Sequence, residues 1–229
     1  MPVFLLSEEV AFPDPRLASD EGILAVGGDL SVARILLAYR LGIFPWFNPE
    51  DPILWWCPDP RCVMFPSDLR VAKSMRSYFN QQKFSVTFDR NFPEVIHNCR
   101  EIRRKGQGGG TWISDDIEAS YTELHHMGYA HSVEVWEDGN LVGGLYGLAI
   151  GKCYFGESMF AHVSNASKFG FISLVWELEK RGFQLIDCQQ QTRHLESLGA
   201  VLLPRARFLN ILRDNNHLPD DYGSWRDWI

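Results

Sequence analysis

The sequence has no apolar run approaching the roughly eighteen residues that a membrane-spanning helix needs, and Met1–Leu6 carries no basic stretch ahead of an apolar core. Neither a transmembrane helix nor a secretory signal is expected, and the reading is of a cytoplasmic protein. Cysteine is scarce and scattered. Cys57, Cys62, Cys99, Cys153 and Cys188 make an odd count, with no C-x-x-C spacing and no paired histidines nearby. That argues against a disulfide framework and against a zinc site, so reduced thiols and no bound metal are expected. Internal repeats and low-complexity tracts are absent, and 45% hydrophobic content is that of a globular chain rather than a disordered one. At 229 residues the chain can hold one large domain, or an ordinary domain with a small one attached.

Positive charge is also in deficit, at a formal net of -7, which would discourage nucleic-acid binding if it were evenly spread. It is not evenly spread. Between Cys57 and Gly110 ten basic residues, beginning with Arg61, face five acidic ones, so a basic island sits on an otherwise acidic protein. Such an island can still meet phosphate. Arg70, Lys73 and Arg76 recur at a spacing of three, and Arg103, Arg104 and Lys105 cluster just before the glycines of "GQGGGTWI". Those glycines predict a mobile loop carrying Trp112 as an aromatic plate that can stack or line an apolar pocket.

What is present divides near residue 62. In "GGDLSVARILLAYRLGIFPWF", Ser31 is a credible N-cap, Ile35, Leu36, Ala38 and Tyr39 suit a helix, and Gly42 is placed to end it. The following "FPWFNPEDPILWWCPDPR" crowds five prolines among aromatic residues and predicts an ordered loop without regular secondary structure, joining residues 1–62 to a main domain over 63–229. Beyond it the pattern predicts helices over 68–80, from Phe92 to Arg104 and from Asp115 to Met127. Strands "HSVEVW", "LVGGLYGLAI" and "CYFGESMF" follow, then a helix capped by Ser164 or Asn165 and closed by Gly182, and a last strand "LIDCQ". The fold class is α+β with an antiparallel meander at its centre, and the tail is expected to be irregular with its tryptophans packed on the body.

Two strands carry chemistry. Alternation in "LIDCQ" sets Asp187 and Gln189 on one face and Ile186 and Cys188 on the other, so a carboxylate and a carboxamide stand side by side where they can handle a proton and a carbonyl. Met alone, the pair reads as a strand fraying into a polar turn. Cys188 with His194 nearby could be a nucleophile, but reads better as a small buried thiol turned away from Asp187. In "CYFGESMF", alternation sets Glu157 between Phe155 and Met159 on an apolar face. Burying it unpaired costs several kcal/mol, so it needs a partner, either an internal arginine or a ligand. On the next helix Phe171, Leu174, Val175 and Leu178 form one apolar stripe facing the sheet.

In order and spacing, "GGDL", "GIFPWF", "DPILWWCPDPR", "GTWI", "HSVEVW", "GGLYGLAIG", "FGESMF", "NASK", "LIDCQ" and "SLGA" resemble the bacterial leucyl/phenylalanyl-tRNA-protein transferases over almost the whole chain, to about residue 213. The resemblance implies a small N-terminal α/β domain joined to an N-acetyltransferase-like domain. It also implies a cofactor-free enzyme that moves Leu, Phe or Met from aminoacyl-tRNA onto proteins beginning with Arg or Lys, marking them for degradation. It places Asp187 and Gln189 at the catalytic centre and Glu157 against the cationic acceptor terminus. The donated side chain goes to a pocket of Trp46, Trp112, Tyr154, Met159, Phe171, Leu174, Leu178 and Ile186, and tRNA to the basic island of Arg70, Lys73, Arg76, Arg103, Arg104 and Lys105. Strict alternation aims Tyr154 and Met159 at opposite faces, so for both to line one pocket the strand must bulge or curve. Two rivals remain in view: an acyl-CoA-dependent N-acetyltransferase, for which "FAHVSNASK" offers no pyrophosphate loop, and a non-catalytic reader of basic protein N-termini.

Overall fold

A computed structural model describes residues 3–102, 111–220 and 222–229. The first part of the chain builds a small four-stranded sheet from β1 (Phe4–Leu6), β2 (Ile23–Gly27), β3 (Phe44–Pro45) and β4 (Leu54–Trp56), in the order β1-β2-β4-β3, with helix α1 (Val32–Arg40) between β2 and β3. Helix α1 begins where Ser31 Oγ accepts the Arg34 N–H, and ends before Gly42, whose φ of +75° a side-chain-bearing residue rarely adopts. The expectation of a loop free of regular structure is corrected here, because the proline-rich segment supplies both β3 and β4. Pro45 is tolerated because β3 is an edge strand, where the missing N–H costs no ladder bond. The tryptophans tie the segment down: Trp55 Nε1 donates to Gly27 O at 2.9 Å and Trp56 Nε1 to Trp46 O at 2.6 Å.

The rest forms a seven-stranded sheet. In chain order its elements are β5 (Arg61–Met64), α2 (Lys73–Asn80), β6 (Ser85–Phe88), α3 (Phe92–Glu101), α4 (Asp115–His126), β7 (Ala130–Glu137), β8 (Asn140–Ile150), β9 (Cys153–Ala161), α5 (Ala166–Lys180), β10 (Leu185–Gln189), α6 (Arg193–Leu198), β11 (Val201–Leu203) and α7 (Arg205–Asn215). Strand order is β11-β5-β10-β9-β8-β7-β6, antiparallel throughout except for the β9/β10 pair, which α5 connects as a crossover. This is the α+β meander expected from the sequence.

Two helices differ from expectation. Helix α2 starts at Lys73 rather than 68, because the Arg70 N–H is bonded to Leu198 O at 2.8 Å and a single 3₁₀ turn occupies Pro66–Asp68. Helix α3 stops at Glu101, and residues 103–110, with the glycine loop and the predicted basic cluster, lie outside the described residues.

Helices α3, α4 and α7 and the small sheet cover one face of the large sheet, while α2, α5 and the C-terminal tail cover the other. Helix α5 lies very close, since a Cβ on Gly170 would sit 2.7 Å from a Val135 methyl, and this proximity carries Phe171 to the sheet. The tail packs as expected: Trp225 is buried, stacks on His131 at 3.6 Å, and donates its backbone N–H to Asp89 Oδ2 at 2.7 Å.

Two departures from regular pairing open the sheet. In β9 the register against β8 slips, Tyr146 facing Ser158 but Gly147 facing Gly156, which leaves Glu157 as the extra residue of a bulge. In β10 the register against β5 slips between Asp187 and Gln189, and Gln189 has φ of +59°. Pairing of β9 with β10 stops at Phe155 and Asp187, although β9 continues to Ala161 against β8. The strands part beyond that point, and the gap between them is the site.

Candidate functional site

The gap holds a cavity of about 440 Å³. Both strands line it at and past their last pair, through Gly156, Glu157, Ser158 and Met159 on one side and Asp187, Cys188 and Gln189 on the other. Its other walls include Phe44, Pro45 and Trp46 at the edge of the small sheet, Trp112, Phe171 from α5, Ile186 from β10, and Thr192, His194 and Leu195 at the start of α6. The walls are largely apolar with a few converging polar groups, as ligand sites are.

Asp187 is fully buried and held by two partners, Arg61 and the backbone of Gln189. Arg61 Nε donates to its Oδ1 at 2.8 Å and Arg61 Nη2 to its Oδ2 at 2.7 Å, and Arg61 is itself sealed from solvent. The guanidinium lies between the rings of Phe44 and Phe208, at 4.6 and 4.8 Å from their centroids. The backbone N–H of Gln189 also donates to Asp187 Oδ1, at 2.9 Å. One carboxylate thus anchors the left-handed turn at Gln189, whose side chain reaches back toward β9.

There Gln189 Nε2 donates to Glu157 Oε1 at 2.8 Å. Tyr39 from α1 donates to the same oxygen at 2.6 Å, Tyr121 from α4 donates to Oε2 at 3.1 Å, and the two tyrosine hydroxyls stand 2.6 Å apart. Burial and the charge of Asp187 push the Glu157 carboxyl up, the bonds from Tyr39, Tyr121 and Gln189 pull it down, and the balance leaves it at about 7. Burial and the adjacent Glu157 push both phenols up, so they stay protonated at neutral pH.

The sequence-level candidates divide into three groups. Trp46, Trp112, Glu157, Met159, Phe171, Ile186, Asp187 and Gln189 all line the cavity. Tyr154, Leu174 and Leu178 do not: they are fully buried in the core between the sheet and α5, where Tyr154 faces Ile186 across the strands and meets the Trp225 ring. The Glu157 bulge does put Tyr154 and Met159 on the same face, but only Met159 lies beyond the point where the strands part. Arg70, Lys73 and Arg76 are exposed and make no ion pair among the described residues, while Arg103, Arg104 and Lys105 lie outside those residues.

Among the described residues Glu157 meets no arginine. Of the buried arginines, Arg34 pairs with Asp29 and Arg61 with Asp187, which removes Arg61 from the basic surface where its place in the sequence had put it. Arg61, Tyr39 and Tyr121 are the residues that sequence reasoning missed. Tyr39 reads as one more core position on an amphipathic helix, and nothing local to Arg61 or Tyr121 marks either. Cys188 lines the cavity on the face opposite Asp187, against Cys62. The contact with Cys62 and burial hold the Cys188 thiol well above its usual range, which suits no nucleophile. Among the described residues no group of three His, Cys, Asp or Glu side chains is placed to hold a metal, and no helix is long and apolar enough to cross a membrane.

This geometry sits in a chain with clear relatives. The family profile described as leucyl/phenylalanyl-tRNA protein transferase matches residues 63–213, and the profile of that protein's N-terminal domain matches residues 28–59. The chain belongs to the leucyl/phenylalanyl-tRNA protein transferase family. Its relatives include the leucyl/phenylalanyl-tRNA–protein transferases of Syntrophobacter fumaroxidans, 54% identical over 94% of this chain and 92% of that one, and of Azotobacter vinelandii, 52% identical over 98% of each. The family is one of aminoacyltransferases, and Asp187, Gln189 and Glu157 all fall within the span of its main profile. Among solved structures, the GCN5-related N-acetyltransferase from Kribbella flavida overlaps 74% of this chain and 59% of its own at 11% identity and a TM-score of 0.36, too slight a likeness to argue from.

Proposed function

We propose that this transferase moves Leu, Phe or Met from aminoacyl-tRNA to the α-amine of proteins beginning with Arg or Lys, and that the added residue marks the product for degradation in the cytoplasm. The observation that carries the reading is the apolar cavity opening directly beside Gln189 and Glu157, with Asp187 behind them. The donated side chain enters between Trp46, Trp112, Met159, Phe171 and Ile186. A pocket of this kind separates side chains by only about 1–3 kcal/mol per methylene, so it takes Leu, Phe and Met alike and rejects a charged side chain.

Attack of an amine on an ester needs little more than positioning and the management of protons, effects worth roughly 10⁵ M in effective molarity and about 10² to 10⁴ in rate. Gln189 contacts the reacting amine or carbonyl. Asp187 orients Gln189, since its carboxylate is occupied by Arg61 and by the Gln189 N–H. Glu157 faces the cationic acceptor terminus. The exposed Arg70, Lys73 and Arg76 form the phosphate surface for the tRNA, a role the sequence also offers to Arg103, Arg104 and Lys105, which lie outside the described residues.

The test is amide formation between Leu-tRNA and an Arg-starting peptide, compared in the parent protein and Asp187→Ala. The parent makes the product, and the variant binds charged tRNA but transfers far more slowly. Equal turnover by both would remove Asp187 from the site, and no product from the parent would overturn the reading.

A further inference from the structure

Peptide-bond formation requires the acceptor ammonium to give up a proton before its nitrogen can attack. The carboxylate closest in sequence to Gln189 cannot take it. Asp187 is sealed from solvent, its Oδ1 accepts two N–H groups and its Oδ2 a third, all from Arg61 and Gln189. The Glu157 carboxyl is the other acid on the cavity wall, half-buried and touching Gln189. Resting on the transfer reaction proposed above, we infer that Glu157 is the base that takes the proton from the acceptor's α-ammonium.

Hydrogen counting supports this assignment. Tyr39 Oη, Tyr121 Oη and the Glu157 carboxyl form a closed triangle of three contacts, at 2.6, 2.6 and 3.1 Å. Two phenols supply two hydrogens, so the third contact lacks one as long as Glu157 is ionised. Adding a proton to Oε2 completes a ring: Glu157 donates to Tyr121, Tyr121 to Tyr39, and Tyr39 to Glu157 Oε1, where Gln189 Nε2 also donates. The triangle is a receptor for one proton. The groups facing Glu157 are Tyr39 from α1, Tyr121 from α4, Gln189 and Asp187 from β10, and Tyr154 on its own strand; Arg61 answers the charge of Asp187. Among the described residues no cation touches Glu157, so no described positive charge holds it permanently ionised. Its titration near pH 7 leaves it able both to accept a proton and to release it.

The balance closes. In becoming an amide N–H the ammonium loses two protons: Glu157 takes the first and later passes it to water, and the second goes to the ribose oxygen as the ester C–O bond breaks and the C–N bond forms.

The experiment measures kcat for the full-length protein, saturated with Phe-tRNA and an Arg-starting peptide, from about pH 6 to pH 9. The parent shows an acid limb near pH 7, and a rate flat down to pH 6 overturns the assignment without any variant. Glu157→Gln loses the limb, and its rate rises with the free-amine fraction of the acceptor, whose pKa is ~8. Parent activity then roughly doubles between pH 7 and pH 9 while that of the variant rises about tenfold, so their ratio shrinks about fivefold. A constant ratio, or a variant that binds Phe-tRNA yet stays inactive at pH 9, assigns Glu157 to reading the acceptor's charge and overturns the inference. A parent that forms no amide at any pH would instead defeat the transfer reading itself.

Discussion

Replacing Arg61 by Met strands Asp187 as an unpaired charge in the interior. Both side chains are sealed from solvent and joined by two hydrogen bonds of 2.7 and 2.8 Å, so water does not compensate for the loss of either one. Breaking such a pair from one side costs about 3–5 kcal/mol. In a chain of this length that corresponds to a fall in Tm on the order of 10 °C. Asp187→Leu should cost a similar amount, leaving the guanidinium uncompensated between Phe44 and Phe208 and the Gln189 N–H without its acceptor. The double variant Arg61→Met, Asp187→Leu removes both charges together and should recover most of that stability, because a buried ion pair replaced by apolar residues is often close to neutral. Transfer activity should not recover, since the turn that aims Gln189 at Glu157 has lost its anchor. Thermal unfolding of the four proteins, together with their rates of peptide formation, closes the cycle. Single variants that melt within about 2 °C of the parent but lose activity would show that the pair acts in the chemistry alone, refuting the anchoring argument.

Glu157 has a folded-state pKa near 7 against an ordinary value of 4.5, so its protonated form is favoured in the folded protein and its contribution to stability is lost as pH rises through about 7. Glu157→Gln should accordingly raise Tm at pH 8, by an amount corresponding to about 2–3 kcal/mol, with the difference vanishing toward pH 4.5; calorimetry at both pH values checks the sign. Leu178→Ala should lower stability by about 2–5 kcal/mol and leave the preference among Leu, Phe and Met unchanged, because Leu178 is core and not cavity wall. Phe171→Ala, which also opens the cavity, should shift that preference in a competition assay. Neutralising Arg70, Lys73 and Arg76 together should flatten the slope of log affinity for tRNA against log salt by about two to three, and an unchanged slope would move the phosphate surface elsewhere.

The sequence was most legible where structure is local. Helix α1 follows from Ser31 and Gly42, helix α5 from its apolar stripe, and the order of the meander from its turn signals. Position along "LIDCQ" and "FGESMF" drew notice to Asp187, Gln189 and Glu157 as polar residues among apolar ones, but alone it left a fraying strand end as an equal account, and the resemblance supplied their proposed roles. Their partners were not legible. Arg61 meets Asp187 across 126 positions of sequence and Tyr39 meets Glu157 across 118, and no periodicity encodes such pairings. The pocket wall was misjudged for a related reason. Tyr154, Leu174 and Leu178 share a face with true lining residues, but the place where β9 and β10 part is set by two one-residue slips in register, and alternation cannot reveal these. The prolines misled in the other direction, since an edge strand tolerates Pro45 where a central strand would not.

The most direct test of the account is a structure of the protein with phenylalanine joined to the 3′ position of adenosine through a hydrolysis-resistant amide. The phenyl ring should lie between Trp46, Trp112 and Phe171, with the carbonyl within hydrogen-bonding reach of Gln189 and the Arg61–Asp187 pair undisturbed behind it. A ring bound outside the gap between β9 and β10, or a carbonyl turned away from Gln189 and Glu157, would contradict it.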